Sequence, residues 1–344
     1  MKDSLKVAVA GATGYVGLEL IKILSKHPMV KIMYLCATKS IGKPISFYDK
    51  KITKKNLPII TKIKNINWNK VQILFAALPN GEAQKIAKIL PHHVKFIDLS
   101  ADFRLKDFKL YKKWYGINHK CKNLIKESIY AITEFSKNNL DKYKIISCPG
   151  CYPTSVQIPL IPLIKKKMIN PKNIIIDSKS GYSGAGKKFK NKFKNVFNSV
   201  YSYGVGSHRH MAEMDQELSK ISKKKINVSF TPHVIPMFRG ILSTMYLETI
   251  GNNNAKKVYN FLKRYHKKNA FVKVCKFNTG VNTSEVMHTN YCNISVCKNR
   301  KKNKIIIISA IDNLIKGASG QAVQNMNAAF KLKETVGLIW RNYF

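Results

Sequence analysis

The chain has 344 residues, enough to bury a large core and to form two domains. Its formal charge is +43, but only six of its 61 basic residues are arginine, the lysines run evenly along the chain, and no nucleic-acid motif interrupts them; a composition rich in Lys, Ile and Asn, all with AT-rich codons, accounts for the charge, so salt-sensitive polyanion binding is expected but no specific nucleic-acid partner. Seven scattered cysteines, no secretory leader and a first apolar segment too short to span a bilayer argue against a disulfide scaffold or a membrane protein, and predict a reduced, soluble, cytoplasmic one.

In chain order, Val7–Ala10 reads as a buried strand. It runs into Gly11-Ala12-Thr13-Gly14-Tyr15-Val16-Gly17 and an amphipathic helix from Leu18 to Lys26. Segments 31–37, 71–77, 94–99 and 144–147 read as further strands, with helical spacing over 81–90. Strands alternating with helices predict a parallel, doubly wound sheet in an α/β fold. Beyond Thr154 the texture changes: apolar segments 174–179, 228–232, 241–250, 291–296 and 305–311 are separated by turn-rich stretches and predict an α+β domain. A last helix is expected over 317–330. The expected organisation is a dinucleotide-binding domain over 1–150, a catalytic and oligomerisation domain over 151–312, and a terminal helical segment over 313–344 that returns to the first domain.

A glycine turn that leaves a strand and opens a helix suits a pyrophosphate, because the bare backbone can approach it at the positive helix end. That assigns Gly11, Thr13, Gly14, Tyr15, Val16 and Gly17 to a dinucleotide. The second strand ends in Cys36-Ala37-Thr38-Lys39-Ser40 with no acid to grip a ribose hydroxyl. Thr38, Lys39 and Ser40 suit a 2′-phosphate instead, which predicts NADP. Ser147-Cys148-Pro149-Gly150-Cys151-Tyr152-Pro153-Thr154 turns Cys151 onto the start of an apolar helix, where the dipole favours thiolate. Pro159 is expected to kink that helix. Cys148-x-x-Cys151 also allows a redox pair. A zinc site is not expected, since Cys292 and Cys297 are poorly spaced to complete one. His208-Arg209-His210 and Glu213 form the densest polar cluster of the second domain, in what reads as a loop, and His233 competes with them as the base. Where arginine is scarce, Arg104, Arg209 and Arg239 are candidates for gripping a carboxylate or phosphate. The glycine loop 181–188 suits an anion or a cofactor, and Asn313, Lys316 and Gln321 supply polar groups ahead of the last helix.

Together these segments resemble the N-acetyl-gamma-glutamyl-phosphate reductases of arginine biosynthesis. The likeness spans the chain and is carried by Gly-Ala-Thr-Gly-Tyr-Val-Gly, Ala77-Leu78-Pro79-Asn80-Gly81, the run from Ile97 to Arg104, Pro149 to Thr154, Ser183 to Gly186, His208-Arg209-His210, Pro232 to Gly240 and Asp312 to Asn327. Cys148 stands where the family often has Asn, and Ala212 where it often has Pro. The resemblance implies a Rossmann NADP domain and a mixed-sheet catalytic domain like that of aspartate-semialdehyde dehydrogenase. It implies Cys151 as nucleophile and a histidine of His-Arg-His, here His208, as acid/base. Arg104, Arg209, His210 and Ser183 are then expected at the substrate, and Pro79, Gly184, Ala185, Gly186 and Asn313 at the cofactor. It further implies reduction of an acyl phosphate handed on by acetylglutamate kinase, and a homo-oligomer, dimer or tetramer. Reduction of aspartyl or N-acetyl-aminoadipyl phosphate is the alternative within the class; a basic nucleic-acid-binding protein on an inherited dehydrogenase fold is the alternative outside it.

Overall fold

The computed structural model describes residues 4–54, 56–186 and 198–339. They form two compact units, Met1–Pro149 with Ala318–Phe344, and Gly150–Gly317.

The first unit is built on a parallel sheet. Its strands are β1 (Leu5–Ala10), β2 (Val30–Cys36), β3 (Ile60–Thr61), β4 (Ile73–Ala76), β5 (Lys95–Asp98), β6 (Ser128–Tyr130) and β7 (Ile145–Ser147), in the order β3-β2-β1-β4-β5-β7-β6. Every pairing is parallel. The central strands are apolar on both faces, as a sheet covered by helices requires; Val7–Val9 and Ile73–Ala76 are fully buried. Helix α1 (Tyr15–Lys26) turns Leu18, Leu20, Ile21, Ile23 and Leu24 inward, and α2 (Glu82–Ile89) follows β4. Two short helices, α3 (Phe108–Tyr115) and α4 (Thr133–Ser136), lie outside the predicted elements. Asp107 caps α3 through the Lys109 and Leu110 N–H groups.

The second unit carries a mixed sheet. Its strands are β8 (Ile175–Gly181), β9 (Tyr201–Ser202), β10 (Ser229–Ile235), β11 (Ile241–Glu248), β12 (Val272–Val274), β13 (Cys292–Lys298) and β14 (Lys304–Ile311), ordered β12-β13-β14-β11-β8-β10-β9. β8 runs parallel to β10, and β11 runs antiparallel to both β8 and β14. Helices α5 (Cys151–Lys165), α6 (His210–Ser222) and α7 (Ala255–Tyr265) belong to this unit.

Helix α5 is apolar all round, and Tyr152 to Ile164 are buried, as a core helix requires. The helix continues through Pro159 and also through Pro162. Pro159 cannot donate to the Ser155 carbonyl one turn back. The Ser309 hydroxyl of β14 donates to that carbonyl instead, at 2.7 Å. The expected kink thus meets a replacement hydrogen bond. The chain leaves the second unit through a π-type turn, Ile315–Ser319, which runs into α8 (Gly320–Ala329). No helix among the described residues is long and apolar enough to cross a membrane.

Candidate functional site

In the first unit Gly11 follows β1 with φ +80°, and a Cβ there would lie 2.1 Å from the Ala77 carbonyl oxygen. A Cβ on Gly17 would lie 2.2 Å from the Gly11 oxygen, so α1 sits directly on the turn. Gly14 is the N-cap of α1, with no side-chain cap and no acid in the first turn, where Tyr15 and Val16 lie beside Thr13 of the turn. A glycine N-cap at the positive start of a helix, with no acid in the first turn, is what an anionic pyrophosphate needs, so these residues fit a dinucleotide. Thr38 and Lys39 are exposed just past β2. Ser40 takes a left-handed φ of 60°, and its hydroxyl accepts from Tyr48 Oη at 2.6 Å. Pro79 is exposed ahead of α2 and its carbonyl accepts from Glu82 N–H.

Arg104 is buried and holds two backbone carbonyls. It is only 7% exposed, its Nε donates to the Cys148 carbonyl at 2.8 Å, and its Nη2 donates to the Leu99 carbonyl at 3.0 Å. The guanidinium ties the end of β5 to the residue after β7. Asp102, in the same motif, accepts from the Gly81 and Gln84 N–H groups and from Tyr111 Oη, and so caps α2. Cys148 is buried, and burial pushes its thiol up to about 12. Asn325 Nδ2 donates to its sulfur at 3.6 Å. A thiol held so firmly protonated is a poor redox partner. Among the described residues no disulfide joins any of the cysteines.

In the second unit Cys151 is the first residue of α5 and is half-buried; Gly150 is the N-cap, with no side-chain cap. The Gly150 peptide is held on both sides. Its N–H donates to Glu213 Oε2 at 2.8 Å, and its carbonyl accepts from Thr154 N–H and from the Thr154 hydroxyl. Glu213 is fully buried. The His210 ring lies flat against Gly150: a Cβ on that glycine would sit 2.4 Å from His210 Nε2. The same Nε2 lies 3.9 Å from Glu213 Oε1. Carboxylate, imidazole and the peptide carrying the thiol therefore form one cluster.

His208 stands differently. It is boxed by Tyr152, Tyr203, His210 and Phe230, with ring centroids 4.8–5.5 Å away. Its Nδ1 accepts from the His210 N–H at 3.2 Å, so the side chain caps α6. Burial, then the neighbouring His210 and Arg209, push it down to about 3. An imidazole held neutral by burial and used as a cap is poorly suited to carry the thiol proton. Of the two, His210 is the imidazole that lies against Gly150 and near Glu213. His233 faces Asp177, with 3.2 Å between Nδ1 and Oδ1. Arg209 is exposed at the start of α6.

Ser183 is buried, and Asn313 Nδ2 donates to its hydroxyl at 2.9 Å while Asn313 Oδ1 accepts from Gly240 N–H at 2.7 Å. These two expected ligand residues hold each other and the glycine loop. Gly184 and Ala185 are exposed on that loop, and Gly186 closes it with φ +77°. Lys187 and Lys188 lie outside the described residues. Among the described residues no three His, Cys, Asp or Glu side chains gather to hold a metal ion. Sequence reasoning passed over Tyr152 and Tyr203, whose hydroxyls are bonded at 3.1 Å, and the start of α6, which read as a loop. The buried Ala212, Met214 and Leu218 were the available signal for that helix.

Residues 6–143 match the family model of the semialdehyde dehydrogenase NAD binding domain, and residues 151–313 match that of the semialdehyde dehydrogenase dimerisation domain. The N-acetyl-gamma-glutamyl-phosphate reductase of Ehrlichia canis (strain Jake) is 44% identical over the full length of both chains. A probable chloroplastic N-acetyl-gamma-glutamyl-phosphate reductase of Oryza sativa is 40% identical over 99% of this chain and 83% of its own. Among solved structures, aspartate semialdehyde dehydrogenase II of Vibrio cholerae complexed with ASA has a TM-score of 0.73 at 18% identity, covering 96% of this chain and 99% of its own. Aspartate semialdehyde dehydrogenase with NADP from Candida albicans has a TM-score of 0.70 at 16% identity, covering 97% and 100%. At such identities the likeness shows the shared fold.

Proposed function

The chain belongs to the N-acetyl-gamma-glutamyl-phosphate reductase family, with a nicotinamide-binding and a dimerisation domain of the semialdehyde dehydrogenase type, and from that premise we propose that it reduces N-acetyl-gamma-glutamyl phosphate to N-acetylglutamate semialdehyde and phosphate in arginine biosynthesis. The observation that carries the reading is Cys151 on the uncapped start of α5, with its peptide locked by Glu213 and flanked by His210. His210 takes the thiol proton and Glu213 steadies the imidazolium. The Cys151 thiolate, favoured by the helix dipole, attacks the acyl carbon; the bond to phosphate breaks and phosphate leaves with its electron pair, giving a thioester. Bound NADPH supplies the hydride that reduces this acyl group. His210 then steadies the oxyanion, and the aldehyde forms as Cys151 departs as thiolate. Arg209, exposed at the head of α6, is the cation offered to the substrate carboxylate. Phosphorylation of a carboxylate by ATP is one route to an acyl phosphate, and on this reading acetylglutamate kinase would supply the substrate.

Preference for NADP is read from Lys39 and Thr38, exposed past β2 with no acid beside them. Lys39→Ala is expected to weaken NADPH about tenfold with NADH little changed, roughly the loss of one exposed charge contact at 1.4 kcal/mol; equal loss of both cofactors would refute the assignment. A second copy of the chain is read onto the sheet face where Ile175 of β8 and Tyr246 of β11, paired in register, are 50% and 43% exposed. The deciding assay is phosphate-dependent NADP reduction with N-acetylglutamate semialdehyde beside aspartate semialdehyde. The reading expects the first to be strongly preferred. Preference for the second would move the chain to aspartyl phosphate, and no turnover of either would sink the reductase reading.

A further inference from the structure

Cys151 is enclosed from a second side. A Cβ on Gly317 would lie 2.7 Å from Cys151 Cβ and 3.1 Å from its Cα, closer than real side chains approach. Gly317 has an ordinary φ, so the glycine is required there by space and not by backbone conformation. Its N–H donates to the Asp312 carbonyl five residues back, at 2.9 Å, which is the hydrogen bond of a π turn.

The turn is held from within the second unit by Asp312, whose fully buried carboxylate gathers four N–H groups. Oδ1 accepts from Leu314 and Ile315, at 2.8 and 3.2 Å. Oδ2 accepts from Arg239 Nη1 at 3.1 Å and from the His288 N–H at 2.8 Å. Arg239 is 5% exposed, and its Nη1 also reaches His288 Nδ1 at 3.0 Å. Both contacts are made by Nη1 of a planar guanidinium, whose shape and reach a lysine ammonium does not reproduce. On the other side the Gly150 peptide is pinned by Glu213 and Thr154, so the Cys151 backbone has little room to yield.

We propose that Gly317, set by the Arg239–Asp312 pair through the π turn, is a positioning residue of the reaction: it backs Cys151 and fixes the direction of its thiol. The proposal deepens the reading of Cys151 as nucleophile and rests on it. It gives Arg239 a task distinct from gripping substrate. A side chain at 317 must push either the turn or the thiol, and displacements near 1 Å at a reacting group cost about 100-fold in rate.

The test uses the full-length enzyme carrying Gly317→Ala, Gly317→Ala with Ile311→Val, Arg239→Lys, and Cys151→Ser as control. Single-turnover thioester formation, the pH profile of iodoacetamide alkylation at Cys151, the KM for acyl phosphate and the NADPH dissociation constant are read together. Gly317→Ala is expected to slow thioester formation about 100-fold and to move the alkylation profile, with KM and NADPH affinity nearly unchanged. Ile311 Cδ1 lies 3.4 Å from the added methyl, so Ile311→Val should restore part of the rate by letting the turn retreat. Arg239→Lys should fall in the same direction by less. Wild-type thioester formation and alkylation profile in Gly317→Ala would overturn the proposal. If that variant does not fold, wild-type values in Arg239→Lys overturn it. Turnover by Cys151→Ser would instead refute the nucleophile assignment itself.

Discussion

Helices α1 and α5 begin alike and are put to different uses. Each starts at a glycine, Gly14 or Gly150, with no side-chain cap and no acid in its first turn. Around α1 the glycines crowd backbone against backbone, and the proposed use of the helix start is to receive an anion. At α5 Cys151 is part of the helix and its surroundings are close: Glu213 holds the preceding N–H, the His210 ring lies against Gly150, and Gly317 lies against Cys151. In the proposed reading one physical device, the positive end of a helix, serves a ligand in the first unit and a covalent catalyst in the second.

The sharpest break of the comparison is at α5. Cys151→Ser is expected to abolish turnover, by about 1,000-fold or more, while NADPH binding stays near wild type, because a serine hydroxyl is a far weaker nucleophile than a thiolate. Cys148→Ser, three residues earlier, should keep most activity, since the Cys148 thiol is buried and protonated. Reversed phenotypes in an NADPH-oxidation assay would exchange the two assignments. Next in size is Glu213→Gln. The amide oxygen can still accept from Gly150 N–H, but the charge 3.9 Å from His210 Nε2 is gone. The thioester rate should fall about 10- to 100-fold, within the range of one acid/base contribution. Loss of the carboxylate disfavours imidazolium, and the base is lost where it protonates, so the acid limb of the thioester rate profile should move to lower pH. An unmoved limb would detach Glu213 from the proton's path.

At α1 the glycines separate into two kinds. Gly17→Ala forces a methyl to within 2.2 Å of a backbone oxygen, and overpacking of that sort costs about 1–3 kcal/mol, so stability and cofactor binding should both suffer. A Cβ on Gly14 meets only the Gly11 oxygen, at an ordinary 3.5 Å, from an extended backbone that alanine adopts. Gly14→Ala should therefore fold normally and weaken NADPH about tenfold, or 1.4 kcal/mol. If thermal unfolding showed the two variants equally destabilised, Gly14 would be structural and not a phosphate contact.

The contrast also explains what was legible in the chain. Both helix starts could be read because their signals are local: a glycine, an apolar run, a missing acid. The sheet classes followed from the same texture, including the buried runs of β1 and β4. That His208 Nδ1 bonds to its own chain two residues on could not be read, because a sequence displays it only as another histidine in a polar stretch. Arg104 and Arg239 were rightly marked as unusual, yet scarcity cannot tell a ligand from a carbonyl or a buried carboxylate. Asp312, the partner of Arg239, lies 73 residues away, and Ser309, which repairs the carbonyl opposite Pro159, lies 154 residues from Ser155. Pairings between elements far apart in the chain leave no periodicity to read.

The smallest effect is a slope. Asp98 ends β5, fully buried, in register with Ser147 of β7, and its Oδ2 has no hydrogen-bond partner. Burial first, and then the neighbouring Asp102, raise its carboxyl to about 7, against the pull of Ser100 and Arg104. In the unfolded chain an aspartate titrates near 3.9, roughly its model-peptide value. The folded state therefore holds the proton more tightly, and the stability it contributes is fully present below about pH 4 and is lost as pH rises through about 7. Asp98→Asn keeps the shape and stays neutral, so it should remove this loss. Relative to wild type, the variant should gain stability steadily between pH 4 and 7 and gain no more above that, as read by denaturant unfolding at pH 4, 5, 6, 7 and 8. A gap between the two proteins that stays constant across the window would mean Asp98 is ionised throughout, with Arg104 prevailing over burial.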